Sequence, residues 1–131
     1  MSTLKVNTIQ NTSAAHSSTP EEIAQGRAKA WVNYNQMDNN VRDSFNVSSV
    51  TDNSAGNFTI NFSTNFSNAN YVPVGFTHRT NAGGRVLNHI DILVSQTTAL
   101  YQATNASTPN GSAVGIANFD AKYIFLAFFG D

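Results

Sequence analysis

The run Tyr123-Ile124-Phe125-Leu126-Ala127-Phe128-Phe129 is apolar on both faces, in a chain where about a third of the residues are Asn, Ser or Thr. Read as a β-strand, it points Tyr123, Phe125, Ala127 and Phe129 to one side and Ile124, Leu126 and Phe128 to the other, because successive side chains alternate across the pleat. One side can cover the core of a small domain. The other needs separate cover, either from a second layer of the same subunit or from a further copy of the chain. The run is too short for a membrane-spanning helix, which takes about 20 apolar residues.

A chain of 131 residues is long enough for one domain with a real core. Only 11% of its residues are charged, and the formal net charge is -1. There is no basic field to hold phosphates, which argues against nucleic-acid binding. Disorder is equally disfavoured, because 40% of the residues are hydrophobic and nine are Phe. With no Cys, neither disulfides nor thiolate metal sites contribute. Met1-Ser2-Thr3-Leu4-Lys5 lacks the apolar run of a secretory signal, so synthesis in a cytosol is expected. The Asn-x-Ser/Thr triplets at Asn46, Asn57, Asn61, Asn65, Asn105 and Asn110 then follow from composition rather than glycosylation.

Along the chain, Leu4, Val6 and Thr8 alternate with Lys5, Asn7 and Ile9, and residues 11–18 then show no apolar period, so residues 1–18 read as an extended arm. Thr19-Pro20-Glu21-Glu22 is a helix start, with Thr19 as cap, Pro20 in the first turn and Glu22 completing a capping box; Gly26 stops the helix. From Ala30 the pattern is β. Residues 31–35 open it, and Phe45-Asn46-Val47 followed by Val50 reads as a strand whose alternation slips, as at a bulge. Residues 52–56 are turn chemistry, after which Phe58, Ile60 and Phe62 alternate with polar neighbours. Val72, Val74 and Phe76 make a further strand that Pro73 assigns to an edge or a start. Ile90, Ile92 and Val94, then residues 100–103, then Val114 and Ile116 complete the series. Short strands at this spacing predict an all-β fold, an antiparallel β-sandwich or jelly-roll-like domain over residues 30–131, preceded by an arm and short helix over residues 1–29.

No constellation points to catalysis. His89-Ile90-Asp91 would share a strand face, with His78 as a third neighbour, but no zinc-type spacing is present. Glu21 and Glu22 suit the dipole of a helix start better than acid–base work. Asn81-Ala82-Gly83-Gly84-Arg85 has no Gly-Lys-Ser/Thr after it and reads as a turn rather than a phosphate loop. We therefore expect no enzyme, no metal and no cofactor.

Three stretches carry a resemblance: Leu4-Lys5-Val6-Asn7-Thr8-Ile9-Gln10, then Thr19-Pro20-Glu21-Glu22-Ile23-Ala24-Gln25-Gly26-Arg27-Ala28-Lys29-Ala30-Trp31-Val32-Asn33, then Arg42-Asp43-Ser44-Phe45-Asn46-Val47-Ser48-Ser49-Val50-Thr51-Asp52-Asn53. Their order resembles that of small tail-fibre-like virion proteins of marine bacteriophages across the first half of the chain. Tyr71 and the closing Phe129-Gly130-Asp131 fit as well. Gln36-Met37-Asp38-Asn39-Asn40 stands where the family carries a Gly-rich stretch, which leaves the shape of the first β-loop open.

The resemblance implies a virion structural protein made in the host cytoplasm. Joined to the residue pattern, it leads us to expect a homotrimer whose interface draws on Tyr123, Ile124, Phe125, Leu126 and Phe128. Leu4, Val6 and Ile9 would anchor the arm to other virion proteins. Loops at residues 36–40, 77–85 and 103–110 would face the host, with Arg79, Asn81 and Arg85 as receptor-binding candidates for a host-surface glycan. A capsid decoration or cement role is the alternative, since the chain is short for a fibre. Neither a nucleic acid nor a membrane is an expected partner.

Overall fold

The computed structural model describes residues 2–13, 17–78, 89–107 and 117–130, with the backbone alone at 89–94, 105–107 and 117. The N-terminal segment holds a short antiparallel pair, β1 (Ile9–Gln10) and β2 (Ser17–Ser18), and then helix α1 (Pro20–Gly26). Both halves of the capping box form: the Glu22 N–H donates to Thr19 Oγ1 at 3.2 Å, and the Thr19 N–H donates to Glu22 Oε2 at 2.7 Å. Beyond the helix come β3 (Ala30–Asn35), β4 (Asn40–Phe45), β5 (Val47–Ser54), β6 (Asn57–Phe62), β7 (Val72–His78), β8 (His89–Gln96), β9 (Leu100–Ser107), β10 (Ala117–Asn118) and β11 (Tyr123–Phe129).

These strands form two antiparallel sheets packed on each other, an all-β sandwich. The first sheet runs β4-β3-β11-β7. The second runs β10-β9-β6-β5, and β8 pairs with β9 as well. Ala103 is paired with both Phe58 and Leu93, so β6 and β8 flank β9 on opposite edges. Local pattern explains β6, where Phe58, Ile60 and Phe62 point inward and Asn57, Thr59 and Asn61 outward. The β5–β6 turn closes through Gly56 at φ 73, a left-handed conformation open to glycine at no steric cost, and the Gly56 N–H donates to Asp120 Oδ1 at 2.8 Å.

The core lies between the sheets. Tyr34, Phe58, Ile60, Ile124 and Phe128 are fully buried there, and a knot of rings fills one end. Phe62 meets Phe66 edge-on at 4.8 Å, Phe128 at 5.1 Å and Tyr71 at 5.6 Å, in the tilted geometry that aromatic quadrupoles favour. Burial pushes the Tyr34 hydroxyl up to about 12, with Asp52 and Asp120 adding to it, and burial raises Tyr71 and Tyr101 as well.

The slipped alternation after Phe45 is a register shift in β5 between Val47 and Ser49, as at a bulge, set directly after a change of sheet. The chain leaves the first sheet at Phe45 and enters the second at Val47, so Asn46 alone is the corner. Asn46 has φ 54, and its amide ties three segments together. Its Oδ1 accepts from the Thr64 N–H at 2.7 Å, while its Nδ2 donates to the carbonyls of Lys29 and Thr64, each at 3.1 Å. Asn tolerates this backbone conformation and supplies the polar groups that a sharp corner leaves without sheet partners.

Candidate functional site

Strand β11 sits in the middle of the first sheet, with β3 on one side and β7 on the other. Its two apolar faces meet different fates. Ile124, Leu126 and Phe128 are buried in the subunit's own core, which corrects their assignment to a trimer interface: side chains already enclosed by the second sheet cannot meet another subunit. Tyr123 and Phe125, the other two residues assigned there, lie half-buried on the outer face.

Register shows what surrounds them. Across the sheet, Phe45, Trp31, Ala127 and Val74 form one outward row, and Asp43, Asn33, Phe125 and Phe76 the next. Phe129 and Val72 are paired beyond the first row, and Tyr123 and His78 beyond the second. The exposed members are Phe45 at 54%, Val72 at 57%, Val74 at 54% and Phe76 at 56%, with Trp31 at 36%. Phe76 packs on Phe125 at 5.1 Å, and Tyr123 stacks on Phe125 at 6.1 Å. So β7 carries its apolar residues outward, the reverse of an ordinary edge strand with its greasy side in. The inward positions of β7 hold Pro73, Gly75 and Thr77. Gly75 is required by contact, because a Cβ there would stand 1.9 Å from the Phe125 carbonyl oxygen.

Among the described residues, the Arg and Asp side chains of this face stand at one corner. A register shift between Asn33 and Tyr34 brings Arg42 onto the outer side, where its guanidinium lies 4.8 Å above the Tyr123 ring and donates to Asn33 Oδ1 at 3.3 Å. Asp43 stands beside it and accepts from the Ser44 N–H at 2.9 Å.

The described outward positions of β5, β6 and β9 in the second sheet have the opposite character. Asn53 Nδ2 donates to Asn57 Oδ1 at 2.7 Å and to Thr59 Oγ1 at 2.8 Å. Asn57 Nδ2 reaches Thr104 Oγ1 at 3.0 Å, Gln102 Nε2 reaches Asn57 Oδ1 at 3.0 Å, and Asn61 Nδ2 reaches Ser49 Oγ at 3.0 Å. At these positions amides and hydroxyls satisfy one another, and water can complete them.

The arm presents a second apolar set. Leu4 is 84% exposed and Ile9 54%, Val6 is exposed too, and Ile23 of α1 stands open at 45%. Between arm and helix runs a groove of about 590 Å³ lined by these residues with Lys5, Glu21 and Arg27. A cleft of about 530 Å³ at the Asn46 corner is lined by Arg27, Lys29, Phe45, Thr64, Asn65 and Phe66.

Of the host-facing loops expected from sequence, Gln36, Thr77 and Ala103 are buried. Gln36 Nε2 donates to Asp52 Oδ1 at 3.0 Å and to the carbonyls of Ser54 and Asn57, each at 3.3 Å, which fastens the β3–β4 turn to the β5–β6 hairpin. Thr77 and Ala103 belong to strands β7 and β9. Arg79, Asn81 and Arg85 lie outside the described residues. His78 stands on the outer face, its ring 6.0 Å from that of Tyr123, whereas the backbone of His89 and Asp91 belongs to β8 in the other sheet. Among the described residues, no three His, Cys, Asp or Glu side chains gather as a metal would need, and no helix is long and apolar enough to cross a membrane.

Comparison of the chain with protein-family models, with curated proteins and with solved structures gave no match.

Proposed function

We propose that the chain is a structural protein of a bacteriophage virion, of the tail-fibre or adsorption type. The arm anchors each subunit to other virion proteins, and the sandwich, assembled as a homotrimer, meets the host surface. The observation that carries this reading is the arm: Leu4, Val6 and Ile9 are exposed, so the segment has apolar side chains and no core of its own to bury them in. The order of segments in the first half, which resembles tail-fibre-like virion proteins, supports it from the sequence side. The layer of Asn, Thr and Gln on the second sheet supports contact with a glycan, since neutral amides and hydroxyls suit sugar hydroxyls.

Deleting residues 2–18 tests the anchoring role. The truncated chain should keep its sandwich, read by circular dichroism and thermal melting, and be lost from assembled particles. Normal incorporation of the truncated chain would overturn it. A second reading, a decoration protein that clamps neighbouring capsid subunits, is favoured by the single two-layered sandwich, which gives little reach, and by its broad apolar face. Labelling the protein in images of intact particles separates the two, by signal on the tail or on the head.

A further inference from the structure

We propose that the outer face of the β4-β3-β11-β7 sheet is a self-association surface, turned in the assembled protein towards a common axis and covered there by the same faces of the other copies of the chain. This deepens the reading above, which calls for several copies, by assigning the surface through which they meet.

Size is the first argument. With aromatic side chains of about 150–250 Å² each, the open parts of Phe45, Trp31, Val72, Val74 and Phe76 and the half-buried rings of β11 leave roughly 500 Å² of contiguous apolar surface. That lies at the upper end of the roughly 300–600 Å² that monomers leave uncovered. It also supplies well over half of the roughly 800 Å² per partner in a stable interface. Composition is the second. Aromatic residues dominate and Lys and Glu are absent from the outward positions of these four strands, the signature of an interface core.

Charge selects the occupant. The face carries one Arg and one Asp, Arg42 and Asp43, side by side at one corner and cancelling. A basic or acidic partner finds no counter-field, and an anionic lipid surface finds no cluster of cations. A glycan finds few donors and acceptors, because the amides are concentrated on the other sheet. An identical face supplies aromatic and aliphatic cover and brings an Arg and an Asp in equal number, so that no net charge is buried. Burial of Phe45, Val74 and Phe76 costs the subunit nothing in its own fold, since none of them reaches the core.

The full chain is the test sample. Sedimentation and light scattering should give a multimer for the unmodified chain and for Thr51→Asp, which puts the same charge on the exposed second sheet. Val74→Asp and Phe76→Asp should run as monomers with an unchanged β-sheet spectrum. As the chain has no Cys, thiol labelling gives a readout that leaves the fold undisturbed: Val74→Cys should resist a maleimide in the assembled protein while Thr51→Cys reacts freely. A monomeric unmodified chain, or free labelling at Val74→Cys, would overturn the proposal. If the two Asp variants stay multimeric, this face is not the interface, and the anchoring reading still stands or falls on the arm deletion.

Discussion

The two outer faces of this sandwich cover the same core, yet the described outward positions of one are polar and bonded to one another, while those of the other are largely apolar. On the second sheet, Asn53, Asn57, Thr59, Gln102 and Thr104 bond one another. On the first, the equivalent outward positions hold Trp31, Phe45, Val72, Val74 and Phe76. Alternation decides which side chains enter the core, and it decides nothing about what the outside is for. At about 25 cal/mol per Å², an open apolar face of roughly 500 Å² withholds on the order of 10 kcal/mol of burial from the lone subunit. Association realises that burial, less the cost of ordering the partners. On the proposal above, the difference between the faces is a division of labour: the described polar positions of the second sheet suit water, and the apolar face of the first suits another copy of the chain.

A matched pair of truncations on β11 tests that division most forcefully. Phe128→Ala removes a fully buried ring that touches Phe62, Tyr71 and Tyr101, and should cost the fold about 3–5 kcal/mol. Phe125→Ala, three positions earlier on the outer side, should cost the isolated subunit about 1 kcal/mol and weaken association instead. Urea titration measures the first and dilution the second. Equal losses of fold stability at both positions would erase the distinction between the faces.

A smaller effect sharpens the inner half of the comparison. Of the four Tyr, three stand in the core: Tyr34, Tyr71 and Tyr101. Burial raises all three hydroxyls, Tyr34 to about 12 with help from Asp52 and Asp120. An unfolded Tyr titrates near pH ~10, so the unfolded chain loses these protons first. Their stabilisation is whole below pH ~10 and drains away as pH rises through the folded values. Denaturation midpoints should hold steady from neutral to mildly alkaline pH and then fall, and Tyr34→Phe should flatten the fall. A midpoint indifferent to strong alkali would place these rings in water.

Much of this was legible in the chain. The capping box at Thr19 and Glu22, the alternation at Phe58, Ile60 and Phe62, the edge position that Pro73 demands and the two-sided apolarity of residues 123–129 are all local signals, and the structure answers each. What stayed hidden depends on partners distant in sequence. The slip before Val50 is real, a register shift between Val47 and Ser49, but the corner at Asn46 stayed hidden, because nothing near it says that Lys29 and Thr64 will converge on its amide. Gln36 reads as a loop residue, and only the approach of Asp52, Ser54 and Asn57 makes its burial tolerable. Which side of residues 123–129 faces out follows from pairing with β3 and β7, and the outward set of β7 is the signal that best locates the open face. The arm's Leu4, Val6 and Ile9 were legible as exposed apolar residues, since no amphipathic pattern surrounds them.

Trp31 is the only Trp in the chain and stands in the central row of the apolar face, between Phe45 and Ala127. Its fluorescence reports on that face alone, so quenching by acrylamide measures whether the face is covered. In the assembled protein the account predicts blue-shifted emission protected from quencher, with the shift and the protection both lost on dilution and in Val74→Asp. Emission equally open to quencher at every concentration, in the unmodified chain and the variant alike, would contradict it.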